Sequence, residues 1–162
     1  MSTPASVQVR ALDASDYAWQ RAQLEQWIGV RVVSRGKIFD VLTLPGLVAV
    51  RGDERVGLLT YHIAGDQCEV VSLHSTVQGI GAGSALMAAA QVMAREAGCR
   101  RLWLITTNDN LHALRFYQRR GMHIAGIHVN ALEKSRQLKP EIPLAGMDDI
   151  PLRDEIELEI ML

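Results

Sequence analysis

The sequence predicts an α/β fold built on a mixed sheet, and three patterns predict it. Three strand-like runs between Leu47 and His74 are joined by the turns Gly52-Asp53-Glu54-Arg55 and Gly65-Asp66, which makes an antiparallel meander. A strand, a glycine-rich loop, a helix and a second strand follow between Cys68 and Thr106. That is a βαβ unit, so its two strands run parallel. The chain ends in strict alternation, with Ile156, Leu158, Ile160 and Leu162 on one face and Glu155, Glu157 and Glu159 on the other.

The elements come in this order. Val7 and Val9 alternate with polar residues. Asp13 or Ser15 caps a helix running to about Ile28, with Trp19, Leu24, Trp27 and Ile28 on its buried stripe. Residues 29–45 are interrupted by Arg31, Arg35 and Lys37 and end at Pro45-Gly46; they read as a short helix or loop. Leu47–Val50, Val56–Ile63 and Cys68–His74 are the three strands of the meander. A helix from about Gly83 to Ala97 puts Leu86, Ala89, Ala90, Met93 and Ala97 on one face, and Gly98 stops it. Leu102–Thr106 is a short apolar strand, Asn110 to Arg120 a second helix stopped by Gly121, and His123–Val129 another strand. A loop containing Lys139-Pro140-Glu141-Ile142-Pro143 leads to the final strand. No linker divides the chain, so residues 1–162 read as one domain.

Composition narrows the function classes. Hydrophobic residues make up 48% of the 162, charged residues 22%, and the net charge is −1, which is ordinary globular composition. That balance excludes nucleic-acid binding by bulk charge, and 5% aromatics argue against a stacking platform for single strands. Met1–Val9 has neither the basic nor the apolar part of a leader. Val70 to Ala94 lacks charged residues but holds His74, Gln78 and a glycine cluster, so no membrane association is expected. Cys68 and Cys99 read as buried reduced thiols, which suits the cytoplasm. The five histidines and two cysteines show no metal-ligand spacing, so no metal is expected.

The chemistry lies in Gln78-Gly79-Ile80-Gly81-Ala82-Gly83-Ser84, between a strand and a helix. Glycines let backbone N–H groups approach a ligand closely. The first N–H groups of a helix lack internal partners and stand at its positive end, so together they suit a phosphate or pyrophosphate. A tight strand-to-helix turn with no ligand is the plainer alternative. No GK[ST] follows, so this is not the usual nucleoside-triphosphate loop. The spacing is GxGxG, not the GxGxxG of dinucleotide folds, and Gly98-Cys99-Arg100-Arg101 stands where a ribose-binding acid would be.

With these residues the sequence resembles the GNAT superfamily of acyl-CoA-dependent N-acetyltransferases. Gln78-x-x-Gly81-x-Gly83 matches the family's [Arg/Gln]-x-x-Gly-x-[Gly/Ala] loop, and the strand Val70–His74 precedes it as the family's fourth strand does. Asn110-x-x-Ala113-x-x-Phe116-Tyr117-x-x-x-Gly121 matches the signature of its later helix. The motifs cover about residues 45 to 125, and the rest follows by element order alone.

The resemblance implies a mostly antiparallel sheet, flanked by helices, in which the family's fourth and fifth strands splay apart. Those strands are about Cys68–His74 and Leu102–Thr106 here. The cosubstrate acetyl-CoA would lay its pantetheine arm in the gap, against backbone near Leu73, His74 and Ser75. Its pyrophosphate would sit on Gln78, Gly79, Ile80, Gly81, Ala82 and Gly83, with the Ser84 hydroxyl adding a contact. Asn110, Ala113 and Tyr117 share a helix face toward the thioester, with Phe116 beside them.

In the implied reaction a neutral amine attacks the acetyl thioester directly. Tyr117 is the family's usual acid for the departing thiolate; packing as a core aromatic is the alternative. Glu69 stands where some members carry a carboxylate base acting through water, and a solvent-facing strand residue is the alternative. Glu25 is a weaker base candidate. His62 and His74 are proton relays or satisfied structural histidines. Cys68 and Cys99 lack an activating partner.

The acceptor side draws on two stretches. The first offers Trp27, Arg31, Arg35, Lys37 and Phe39; the second offers Glu133, Lys134, Arg136, Lys139, Glu141, Asp148 and Asp149. Acidic residues suit a cationic amine and basic ones an amino-acid carboxylate. The Glu155, Glu157, Glu159 ladder reads as the wet face of a strand. The expected partners are therefore acetyl-CoA and an amine acceptor, and a homodimer is compatible with the sequence. A catalytically inactive acyl-CoA-binding sensor is the competing reading, and a nucleotide-binding module is disfavoured by the loop spacing.

Overall fold

The computed structural model describes Thr3 and residues 5–162. Along the chain run β1 (Val7–Ala11), α1 (Tyr17–Trp27), β2 (Arg31–Ser34), β3 (Lys37–Asp40), β4 (Gly46–Arg51), β5 (Glu54–Ala64), β6 (Gln67–Ser75), α2 (Ala82–Glu96), β7 (Arg101–Thr107), α3 (Leu111–Arg119), β8 (His123–His128), α4 (Ala131–Leu138) and β9 (Glu155–Met161). Seven strands form one sheet in the order β1-β4-β5-β6-β7-β9-β8, and β2 and β3 pair separately. The β6/β7 pair is parallel and every other pair is antiparallel. This is the mixed, mostly antiparallel sheet expected. The parallel pair follows from the α2 crossover.

α2 covers one face. Leu86, Met87, Ala90 and Ala94 are buried against Leu47, Ala49, Val56, Leu59, Cys68, Val70, Leu102 and Leu104. The helix lies so close that a Cβ on Gly57 would come within 2.9 Å of Leu86 Cδ1. The opposite face carries a smaller cluster of Leu24, Val41 and Leu58. α1 buries only Gln20 and Leu24. Burying Leu24 contributes about 1.5–3 kcal/mol, so the polar helix needs a second anchor. Asp16 supplies it, fully buried just before α1, with Arg10 Nη1 and Arg55 Nε each 2.7 Å from its carboxylate.

Two stretches differ from the sequence expectation. Residues 29–45 hold the β2/β3 hairpin, not a short helix or featureless loop. Val32 pairs with Phe39 and Val33 with Ile38, and Arg35 (φ 49°) and Gly36 (φ 73°) make the left-handed two-residue turn that fits strand twist. The cations that obscured the pattern lie at its ends and tip. The stretch read as a loop before β9 contains α4, which buries Leu132 and Ser135 and ends just before Pro140.

Two irregularities break the regular pairing of the sheet. β6 and β7 pair only from Gln67/Arg101 to Val70/Leu104. Beyond that β6 stays with β5 as far as Ser75, β7 stays with β9 as far as Thr107, and the two strands part. The β5/β6 register also shifts, with Thr60 opposite Ser72 but Tyr61 opposite Val70, so Val71 is the extra residue of a bulge.

Candidate active site

The glycine loop lies beside the parting strands. Gly79 (φ 77°) and Gly81 (φ 81°) adopt the left-handed backbone that glycine tolerates. Gly81 is the N-cap of α2, has no side chain to satisfy the first N–H groups, and no acid stands in the first turn. That leaves an unneutralised positive helix end. Gly83 lets α3 come close, because a Cβ there would meet Phe116 Cζ at 3.0 Å. Gln78 reaches back toward Ser75 O at 3.5 Å.

Ser84 is already engaged. Its Oγ accepts from Arg120 Nε at 2.9 Å, while Arg120 Nη1 donates to Phe116 O at 2.8 Å and the guanidinium stacks 3.5 Å above the Phe116 ring. The sequence reading missed Arg120, and the only available signal was a cation just before the helix-stopping Gly121.

On α3, Asn110 is the N-cap, its side-chain oxygen accepting from Ala113 N at 3.0 Å. This gives the motif's Asn–Ala spacing a local structural cause. Tyr117, one face along, packs against the α2-side core and meets Phe116 edge-on at 5.2 Å. Burial pushes its hydroxyl up to about 12.

On β6, Leu73 packs toward the α2-side core and Ser75 Oγ donates to Val77 O at 2.8 Å. The His74 ring stacks on Trp27 of α1 at 4.5 Å, and burial pushes its pKa down, which favours the neutral imidazole.

Glu69 lies between the core residues Cys68 and Val70, so it points to the opposite face from α2. It is 5% exposed. Its Oε1 accepts from the Ser34 hydroxyl at 2.5 Å. Burial pushes the carboxyl up, while the Ser34 hydrogen bond and the Lys37 charge pull it back. Ser34 is a second residue that the sequence reading missed, because it meets Glu69 only through the hairpin.

The terminal glutamates are not a solvated ladder. Glu155 is 2% exposed and accepts from both the backbone N and Nη1 of Arg35 at 3.2 Å. Glu157 and Glu159 are bridged by Arg101, and His128 lies 3.1 Å from Glu157. Register explains the cluster. His62, Glu69, Trp103 and Glu159 form one cross-strand row, and Glu157 and Glu155 flank it on β9.

Trp27, Arg31, Lys139 and Glu141 converge on a cleft of about 660 Å³ between the end of α1 and the segment after α4, with Glu25 on its wall. Lys139 Nζ donates to Ile28 O and Arg31 O at 2.9 and 2.8 Å, and Arg31 pairs with Glu141 at 3.3 Å. Glu25 is paired with Arg21 at 2.9 Å. The other acceptor-side candidates lie elsewhere. Arg35, Lys37 and Phe39 belong to the hairpin beside Glu69, with Phe39 buried against His62. Arg136 donates to the carbonyls of Ile142, Pro143 and Leu152 and holds the segment's path. Glu133, Lys134, Asp148 and Asp149 are exposed and do not line the cleft.

Cys68 and Cys99 are buried, and burial pushes the Cys68 thiol up to about 12. Among the described residues no group of three or more His, Cys, Asp or Glu is placed to hold a metal ion, and no helix is long and apolar enough to cross a membrane.

Comparison with known proteins agrees with this geometry. The model of the acetyltransferase (GNAT) family matches residues 8–122. The uncharacterized protein YxbD of Bacillus subtilis (strain 168) is 42% identical over 135 residues, covering 83% of this chain and 85% of that protein. An IAA acetyltransferase from Bacillus cereus superposes with a TM-score of 0.71 at 20% identity, over 97% of this chain and 100% of that one. A GNAT family acetyltransferase from Elizabethkingia anophelis, solved with acetyl-CoA bound, superposes with a TM-score of 0.70 at 16% identity, over 97% and 99%. The solved structures share the fold.

Proposed function

The chain belongs to the acetyltransferase (GNAT) family, and from that premise we propose that it moves the acetyl group of acetyl-CoA to a primary amine of a small molecule or protein by direct attack. One observation carries the reading: β6 and β7 part after Val70 and Leu104, next to the uncapped start of α2. The parted stretch of β6 offers backbone groups toward β7 as an added strand would use them, which suits the amides of a pantetheine arm. The N–H groups from Gln78 to Gly83 suit its pyrophosphate. The acetyl-CoA in the Elizabethkingia relative supports this choice of cosubstrate.

The two candidate proton groups lie on opposite faces of the sheet, Tyr117 with the α2-side core and Glu69 under the hairpin. In this reading the thioester lies in the gap between them. Glu69 takes a proton from the ammonium through water. The amine lone pair forms the C–N bond, and a β6 backbone N–H near Leu73 stabilises the oxyanion. The C–S bond breaks while the Tyr117 hydroxyl donates a hydrogen bond to the departing sulfur, the thiolate then takes a proton from solvent, and the second amine proton goes to solvent. The cleft at Trp27 receives the acceptor, and the buried thiols suit a reducing cytoplasm.

Two measurements test this. Acetyl-CoA at ~100 times its dissociation constant should stabilise the fold by ~2.7 kcal/mol in a thermal shift. Stabilisation by ATP or NAD but not by acetyl-CoA would sink the reading. Thiol release from acetyl-CoA across a panel of primary amines then separates an enzyme from a binding-only protein: at least one amine should drive release, and none at all favours the sensor.

A further inference from the structure

We propose that Ser34, at the tip of the β2/β3 hairpin, is the positioning residue for Glu69: its hydroxyl occupies one carboxylate oxygen and turns the other toward the incoming amine. The inference rests on Glu69 as the base, and deepens that reading by naming what holds it.

Three features of the hairpin carry it. Ser34 is only 5% exposed, so its hydroxyl is built into the protein and not a surface group that happens to reach inward. It donates to Glu69 Oε1, whereas Glu69 Oε2 has no hydrogen bond among the described residues and is not sealed from solvent. One oxygen is therefore pinned and the other is open, as a base acting through a single water requires. Lastly, the tip fixes the serine by means independent of Glu69. Arg35 and Gly36 make the left-handed turn, and Arg35 is locked to buried Glu155 through its backbone N and its guanidinium.

The charges around Glu69 sharpen the role. Lys37 of the hairpin attracts it, and Lys37 Nζ also lies 3.3 Å from His62 on β5. Glu155 and Glu157 on β9 repel it. Arg35 answers the first of these and Arg101 of β7 the second, with the His128 ring of β8 lying 3.1 Å from Glu157. The Ser34 hydrogen bond is the direct contact that favours the ionised form, and it works against the burial that still holds the carboxyl above its ordinary range.

The test is Ser34→Ala and Ser34→Thr, read by ¹³C NMR titration of the Glu69 carboxyl and by the pH profile of kcat/KM with whichever panel amine turns over. Ser34→Ala should raise the Glu69 pKa by about one pH unit, the scale of one hydrogen bond to an ionised group, and carry the acidic limb of the profile upward with it. Ser34→Thr, which keeps the hydroxyl, should restore both. If Ser34→Ala moves neither the titration nor the limb, Ser34 is a structural residue and the proposal is overturned, even where the melting temperature falls. If the titration moves and the limb does not, Glu69 is not the base. That overturns the reading beneath the proposal, and Glu69→Gln with an unchanged profile would show it directly.

Discussion

Replacing Tyr117 by Phe removes one hydroxyl and leaves the ring packing against Phe116 intact. Burial pushes that hydroxyl up to about 12. A free thiol titrates near 8.5, well below the buried tyrosine, so complete proton transfer from the tyrosine to a departed thiolate runs uphill. Tyr117 is better suited to donate a hydrogen bond to sulfur while negative charge builds there than to surrender its proton. Such a bond to a charged group is worth about 1.5–3 kcal/mol, or roughly a 10- to 150-fold loss in kcat for Tyr117→Phe. CoA affinity, set by the loop and by β6, should hold within a few-fold by calorimetry. The proton stays on the tyrosine throughout the assayable range, so the pH profile should drop in height without changing shape. An unchanged kcat, or the loss of a titrating limb, would refute the argument.

Asp16→Asn strips Arg10 and Arg55 of a fully buried partner and should cost about 3 kcal/mol by denaturant titration, the low end for breaking a buried pair because both arginines reach solvent. The arginines hold the Asp16 carboxyl well below its ordinary 3.8, so it stabilises the fold above that pH and the contribution drains away as pH falls further; melting temperatures of wild type and Asp16→Asn should converge on acidification. Gly81→Ala places a side chain at φ 81° and should destabilise by about 1–2 kcal/mol while weakening CoA binding; a variant with undiminished affinity would remove Gly81 from the anion loop. Cys68 and Cys99 should resist iodoacetamide at pH 8 until urea unfolds the protein, and rapid labelling of the native chain would contradict their burial.

What could be read from the sequence was local. Gly79, Gly81 and Gly83 announce a backbone conformation and a close approach within a few residues of themselves, and Asn110 to Tyr117 share a face by helical spacing alone. The hairpin escaped because its evidence is the pairing of Val33 with Ile38 across a turn, while Arg31 and Lys37 mimic a polar segment. α4 escaped because it starts from a left-handed Asn130 and buries only Leu132 and Ser135. The misreading of Glu155 is the most instructive. Alternation placed it on the face away from the core, but whether that face is wet depends on Arg35, which is 120 residues distant in the chain. Ser34 was invisible for the same reason, since nothing near it in sequence marks its contact with Glu69.

The placement of β9 has a consequence for how the molecule is made. It follows β7 and β8 in the chain yet lies between them. During synthesis at roughly 5–20 residues per second, β1 to β6 can assemble as their neighbours emerge. β7 meanwhile waits with one edge unpaired, and β8 has no strand to join. The long closure that brings β9 back is entropically slow. It also delivers Glu155, Glu157 and Glu159 together, and with them the anchor for Arg35 at the hairpin tip. In a nascent chain the β9 glutamates therefore reach Arg35 and Arg101 only after β9 itself has emerged.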